Sequence, residues 1–258
     1  MDEHFNKFID RIGFYKNSIY QIDTHLKEFI RFRKNNLPKN ISEDFVMPIL
    51  SSKLIYRNVL TSKHEIKQSR FIHIDNIEEK TQEIKDNYCN FCVSQSFEAF
   101  ETFLKDILAH YIFSNPNFVL ENEKLKVLKI ENYDTCRIDI QKILQKNNKY
   151  NKQIFNWLYQ INSEISKLEK ENFLDFNFAE WNIVLTEIRH SIVHSNSHLK
   201  IEKTKNWTDF QNRLLNELFT CNVLDKEIVI STYENYDYII GIIAQHGQLI
   251  YDKIKNCH

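Results

Sequence analysis

The stretch SQSFEAFETFLKDILAHYI, residues 94–112, decides the predicted fold of this chain. Apolar residues in and around it recur three or four positions apart, which is the period of an α-helix. They are Phe91, Phe97, Phe100, Leu104, Ile107, Leu108 and Tyr111. The pattern predicts one long helix from about residue 77 to residue 113, ended by SNPN at Pro116.

The scarcity of turn residues extends this helical prediction to the whole chain. Only three glycines and three prolines occur in 258 residues, and no proline follows Pro116. Sandwiches and barrels need many turn residues. We therefore expect an all-α chain with an N-terminal helical extension, in which a short β-hairpin is the one β element considered.

Further helices are predicted on both sides of the central one. Residues 1 to about 70 favour helices broken near Gly13 and by NNLPKNISEDFVMP (35–48), which predicts an N-terminal helical region, 1–75, before a second domain, 76–258. The later helices are expected at about 136–147, 151–170, 178–194, within 207–219, and at 236–255.

Smaller signals refine this outline. Asn177 is the predicted N-cap of the 178–194 helix, with Glu180 three residues on as in a capping box. Residues 199–203 and 227–231 alternate like short strands. Gly241 and Gly247 lie inside the last predicted helix, where the close approach of another helix would explain them.

The charge, the cysteine content and the lack of a long apolar stretch bear on which partners and which cellular location are expected. A net charge of −1 argues against bulk nucleic-acid coating but allows a small site for one phosphate. The basic run Lys200, Lys203 and Lys205 is typical of a solvated face. Five cysteines, an acidic start and no apolar stretch near the roughly 20 residues of a membrane span predict a cytoplasmic protein.

Cys89 and Cys92 form a single C-x-x-C pair. A structural zinc site takes a second pair of ligands, which the sequence does not supply. We interpret the two thiols as helix-packing residues, with zinc binding as the alternative.

The stretch TEIRHSIVHSNSH, residues 186–198, concentrates the chemistry of the chain. His190, His194 and His198 lie four residues apart, beside Arg189. On a helix, one apolar stripe forms, made of Trp181, Val184, Leu185, Ile188 and Ile192. Glu187, His190 and His194 project from nearly the opposite side, and Arg189 lies on the flank. These side chains are expected to face solvent or a partner.

Three interpretations of this polar face remain open from the residues. It is a solvated surface, or His190 and His194 bind a metal ion with Glu187, although the adjacent arginine disfavours a cation. The third is acid–base chemistry on a phosphodiester. Imidazole takes and returns a proton near neutral pH, and guanidinium binds phosphate oxygens in a fork.

Residues 187–194, EIRHSIVH, resemble the signature of the HEPN superfamily (higher eukaryotes and prokaryotes nucleotide-binding), which is an arginine, a polar residue, three residues and a histidine. Here these are Arg189, His190, three residues and His194. The upstream helix resembles the one that packs beside the motif helix in that family. The likeness covers about residues 77–258. The family's polar residue is often Asn or Asp, so the titratable His190 leaves two candidates for taking the proton.

The resemblance implies an up-and-down bundle of four or five helices and a metal-independent endoribonuclease without cofactor, of toxin–antitoxin or antiphage type. It implies an RNA substrate, a homodimer joined across the motif helices, and an antitoxin or other neighbouring-gene protein as a further partner. The alternative is a non-catalytic helical module that binds a nucleotide or a protein through the same face.

The resemblance also implies roles for the site residues. His194 would be the general base toward the RNA 2′-hydroxyl, and Arg189 would hold the scissile phosphate and stabilise its developing charge. His190 would orient the phosphate or act as the acid, and Glu187 would orient a histidine. The products would be a 2′,3′-cyclic phosphate and a 5′-hydroxyl.

Overall fold

A computed structural model describes residues 1–36, 48–57, 64–73, 76–122, 125–126, 128, 132–145 and 150–257. The helices are α1 (Asp2–Asn35), α2 (Ile77–Ser114), α3 (Pro116–Glu121), α4 (Tyr133–Gln145), α5 (Tyr150–Ile161), α6 (Glu164–Leu168), α7 (Phe178–His194), α8 (Ile201–Thr204), α9 (Asp209–Leu218) and α10 (Tyr236–Lys255). The strands are β1 (Pro48–Arg57), β2 (His64–His73), β3 (His198–Lys200), β4 (Thr220–Leu224) and β5 (Glu227–Ser231).

The fold is the predicted all-α one, with helices as its frame and a small three-stranded sheet beside them. The predicted long central helix is α2, and the helices predicted at 178–194 and 236–255 are α7 and α10. The segment predicted as one helix at 151–170 is divided into α5 and α6. The predicted end of α4 at residue 147 lies outside the described residues.

The N-terminal region differs from its prediction in two ways. Helix α1 continues through Gly13 without a break. One glycine costs a helix about 1 kcal/mol relative to alanine, which a 34-residue helix tolerates. Strands β1 and β2 then pair antiparallel where helices were expected. The predicted break at 35–48 falls mostly on residues outside the described ranges.

The chain forms two compact units, Met1–Asn17 with Cys89–His258, and Ser18–Tyr88. Both α1 and α2 contribute to each unit. The predicted division into residues 1–75 and 76–258 stays a prediction, because compactness alone does not test which segment folds by itself.

In the larger unit, the second half of α2 supplies the centre of the core. Five residues of the apolar series that predicted α2 are at most 2% exposed: Phe97, Phe100, Leu104, Ile107 and Leu108. Tyr111 is half-buried. Phe91, from the same series, is 52% exposed. Cys89 and Cys92 are fully buried in α2, as expected of helix-packing residues.

Helix α10 lies close to α1 at one of its two glycines. A Cβ atom added to Gly247 would meet the Phe8 ring at 2.3 Å, closer than van der Waals contact permits. Gly247 therefore allows the close helix approach that the sequence predicted. Gly241 has open space around it, so the same reason does not apply there.

The small sheet has the order β3-β5-β4 and is antiparallel throughout. The predicted strand at 227–231 is β5. The strand predicted at 199–203 is limited to β3, because the chain enters α8 at Ile201. Strand β4 was not predicted. It follows α9 directly and pairs with β5 across a tight turn in which Asp225 has a positive φ.

A buried polar cluster fixes the beginning of α7. The His246 Nε2 atom lies 2.6 Å from a carboxylate oxygen of Glu169, and the Tyr159 hydroxyl donates to the other oxygen. His246 and Glu169 are at most 2% exposed. The Glu169 carbonyl accepts a hydrogen bond of 2.8 Å from the backbone N–H of Phe178, the first residue of α7. Hydrogen bonds therefore connect α5, the end of α6 and α10 to the N-terminal end of α7.

Candidate active site

Helix α7 begins where the sequence predicts. The Asn177 side chain caps it by accepting a 3.0 Å hydrogen bond from the Glu180 backbone N–H. The second half of the expected capping box is replaced by a tertiary contact: the Glu180 carboxylate accepts from the side-chain amide of Gln211 and, at 3.4 Å, from the Thr208 hydroxyl. Both residues belong to the start of α9, which packs on α7.

The two faces of α7 divide as the helical projection requires. Trp181, Val184, Leu185 and Ile188 are at most 1% exposed, whereas Ile192 is half-buried. His190 and His194 are exposed on the opposite side, with their ring centroids 4.7 Å apart. Ile183 and Val193 are each 49% exposed on the same helix. The polar face thus carries two adjacent imidazoles flanked by exposed aliphatic side chains.

Arg189 is held more deeply than its flank position in sequence suggests. The residue is half-buried, and its Nε atom is enclosed without a hydrogen-bond partner in the described part of the chain. A buried N–H donor without an acceptor costs about 1–3 kcal/mol. An anionic oxygen bound at this nitrogen would remove that cost, and a phosphate is the kind of anion that a guanidinium recognises.

Glu187 has a different partner from the one predicted. Its carboxylate accepts a 2.6 Å hydrogen bond from the Lys203 ammonium group at the end of α8. The predicted role in orienting a histidine therefore finds no support in this contact. Lys203 belongs to the basic run interpreted above as a solvated face, and sequence spacing gave no sign that it would reach α7.

The surroundings of His190 lower its pKa below the ordinary value of 6.5. Partial desolvation is the main cause, and the positive charges of Lys203 and of a protonated His194 act in the same direction. Glu187 opposes the shift, and Arg189 adds to it. His190 is therefore mostly neutral at pH 7, which suits a proton acceptor better than a proton donor.

The chain turns immediately after α7 ends at His194. The backbone N–H of Ser197 donates to the Ser191 carbonyl at 3.0 Å, and Asn196 and Ser197 have φ angles of 49° and 67°. The chain thus leaves α7 through two residues in the left-handed region, a conformation that asparagine tolerates better than most residues.

Asn90 connects this turn to the sheet. Its amide nitrogen donates to the Ser197 hydroxyl at 2.8 Å and to the Ile230 carbonyl at 2.9 Å, and its oxygen accepts from the Thr232 N–H at 2.9 Å. Asn90 is 3% exposed. Sequence reasoning missed it, because a single asparagine within a helical stretch gives no signal of long-range hydrogen bonds.

The structure separates the third histidine of the motif stretch from the other two. His198 lies on β3, and its Nδ1 atom is 2.8 Å from a carboxylate oxygen of Glu227 on β5. The spacing of four that joins His190 to His194 ends with the helix. His198 consequently belongs to the sheet.

No group of three or more His, Cys, Asp or Glu side chains is placed to hold a metal ion among the described residues. In the same portion of the chain, no helix is long and apolar enough to cross a membrane.

The arrangement at the end of α7 defines a class of site: a guanidinium with a free buried donor beside two exposed imidazoles. Comparison of the chain with protein-family models, curated proteins and solved structures gives no match.

Proposed function

We propose that this protein is a metal-independent endoribonuclease of HEPN type, of the kind found in toxin–antitoxin and antiphage systems. Arg189 binds the scissile phosphate, and one imidazole of the His190–His194 pair removes the proton from the 2′-hydroxyl. The observation that carries the proposal is the enclosed, unpaired Nε of Arg189 next to two exposed histidines. These groups suffice for RNA cleavage through the 2′-hydroxyl without a cation.

The lowered pKa of His190 limits the role that this histidine can take in the proposed proton transfer. A group that must be protonated to donate is disfavoured when its pKa is lowered, as that of His190 is. In the proposed reaction His190 therefore either accepts the proton or orients the phosphate in its neutral form. His194 is the last residue of α7 and lies one helical turn from His190 on the same exposed side. Either histidine remains a candidate for the base.

The site is completed, in this proposal, by a second copy of the chain. Ile183, His190 and His194 lie on one exposed stripe of α7, with Val193 beside them. We expect this stripe to form the interface between the two copies, as the resemblance to the HEPN superfamily implies. A two-fold axis through this face would bring two copies of Arg189 and of both histidines around one phosphate.

The test is cleavage of a single-stranded RNA in excess EDTA by the purified chain and two variants. We expect wild-type activity in chelator and its loss in Arg189→Ala and His194→Ala. The matched controls are Arg213→Ala and His25→Ala, which remove an exposed arginine and an exposed histidine elsewhere. Equal activity of Arg189→Ala and the control Arg213→Ala would overturn the proposal.

A further inference from the structure

His190 and His194 have the geometry of a two-histidine chelate. They lie one helical turn apart, both are exposed, and their ring centroids are 4.7 Å apart. Zinc binds imidazole nitrogen at about 2.0–2.1 Å, so two rings at this separation can direct one nitrogen each toward a common ion. Histidines at positions i and i+4 of a helix bind zinc in this way.

Within the described residues, neither ring makes a hydrogen bond or an ion pair with another side chain. His198 offers the contrast, because its Nδ1 is bound to Glu227 at 2.8 Å. The nearest carboxylate in sequence, Glu187, is bound by Lys203. The pair is therefore the available chelating group on this face, and an ion there would complete its coordination with water.

We propose that His190 and His194 together bind one divalent transition-metal ion, of which Zn²⁺ is the representative, and that the bound ion inhibits the active site. The binding depends only on the geometry of the pair. The inhibition rests on the proposed ribonuclease function, because the metal would occupy the imidazole nitrogens that the proton transfer requires.

Protonation and charge set the conditions for binding. A histidine binds metal only in its neutral form, so binding should weaken as the pH is lowered. Arg189 and Lys203 contribute positive potential at His190, which weakens attraction for a cation. With only two protein ligands, the site is exchangeable and does not hold its ion as a structural zinc site does.

The binding is tested by titrating Zn²⁺ against a fluorescent zinc indicator at pH 7.5, with wild-type protein and three variants. His190→Ala and His194→Ala should each weaken binding at least about tenfold, since even the loss of an outer partner of a metal ligand has an effect of that size. His198→Ala, the matched control from the same region, should bind like wild type. Unchanged binding in both His190→Ala and His194→Ala would overturn the proposed site.

Two further measurements separate the binding from the proposed function. Arg189→Met keeps both ligands and removes a positive charge, so it should bind Zn²⁺ at least as tightly as wild type even though RNA cleavage is lost. In wild type, saturating Zn²⁺ should reduce RNA cleavage and EDTA should restore it. Cleavage unaffected by Zn²⁺ bound at the pair would overturn the inhibition. If no condition gives cleavage, the ribonuclease proposal and the inhibition fail together while the titration still decides the metal site.

Discussion

Arg189 keeps a hydrogen-bond donor buried without an acceptor in the part of the chain that the structure describes, while His190 and His194 remain exposed. Arg189 as a whole is half-buried. A buried donor without an acceptor costs about 1–3 kcal/mol of folding free energy. A substitution at Arg189 can therefore raise the stability of the protein while removing its proposed activity.

The first prediction concerns Arg189→Met. Methionine retains much of the buried stem and removes the unpaired donor, so the free energy of unfolding should rise by about 1 kcal/mol. RNA cleavage should be lost at the same time. Urea denaturation measures the stability, with Arg213→Met, on an exposed side chain, as a control expected to stay within about 0.5 kcal/mol. A clear loss of stability in Arg189→Met would show that the Nε donor is satisfied in solution.

A second prediction follows from the charges around His190. Its pKa is expected below 6.5, and Lys203→Met should raise it, because the change removes a positive charge and releases the Glu187 carboxylate. Both effects favour the protonated imidazole. Titration of the histidine ring protons by NMR measures the pKa directly. A pKa that is unchanged or lowered in Lys203→Met would contradict this account of the electrostatics.

At the scale of elements, α10 offers a matched pair of glycines in one helix. Gly247→Ala forces a methyl group to 2.3 Å from the Phe8 ring, which would separate α10 from α1. We expect a loss of about 1–3 kcal/mol from this overpacking. Gly241→Ala meets nothing within 4 Å and should stabilise the helix by about 0.5–1 kcal/mol. Thermal unfolding of the two variants should give changes of opposite sign. Changes of the same sign would contradict the packing described for α1 and α10.

The elements also show what the sequence could predict. The bounds of α7 and α10 followed from apolar periodicity, and the Asn177 cap added a local signal for the start of α7. Both signals act within one helix and need no distant partner. Strands β1, β2 and β4 escaped prediction, because strand pairing depends on a partner segment as well as on local pattern.

In the candidate site, too, some features follow from local sequence and others depend on distant parts of the chain. The exposed position of His190 and His194 follows from helical period alone. The ion pair between Glu187 and Lys203 depends on the path of the chain through β3 and α8, and the hydrogen bonds of Asn90 depend on contacts more than 100 residues away in sequence. Sequence reasoning thus predicted which residues share the α7 face but not which partners hold them.

For the whole molecule, we expect a homodimer joined across the exposed face of α7. In a mixture of Arg189→Ala and His194→Ala chains, mixed dimers would combine an intact arginine with an intact histidine in one composite site. Activity should therefore reappear in the mixture, although neither variant is active alone. Light scattering gives the mass, and each variant mixed with itself is the control. Full activity of a wild-type monomer would contradict the composite site.

In the proposed reaction of this protein, the 2′-hydroxyl of the RNA attacks the adjacent phosphate, and no metal ion takes part. End-group analysis of the products formed in EDTA tests it most directly, with an RNA oligonucleotide and its 2′-O-methyl counterpart as substrates. We expect a 2′,3′-cyclic phosphate and a 5′-hydroxyl from the RNA and no cleavage of the methylated oligonucleotide. Products with a 5′-phosphate and a 3′-hydroxyl, or cleavage of the methylated substrate, would contradict the proposed reaction.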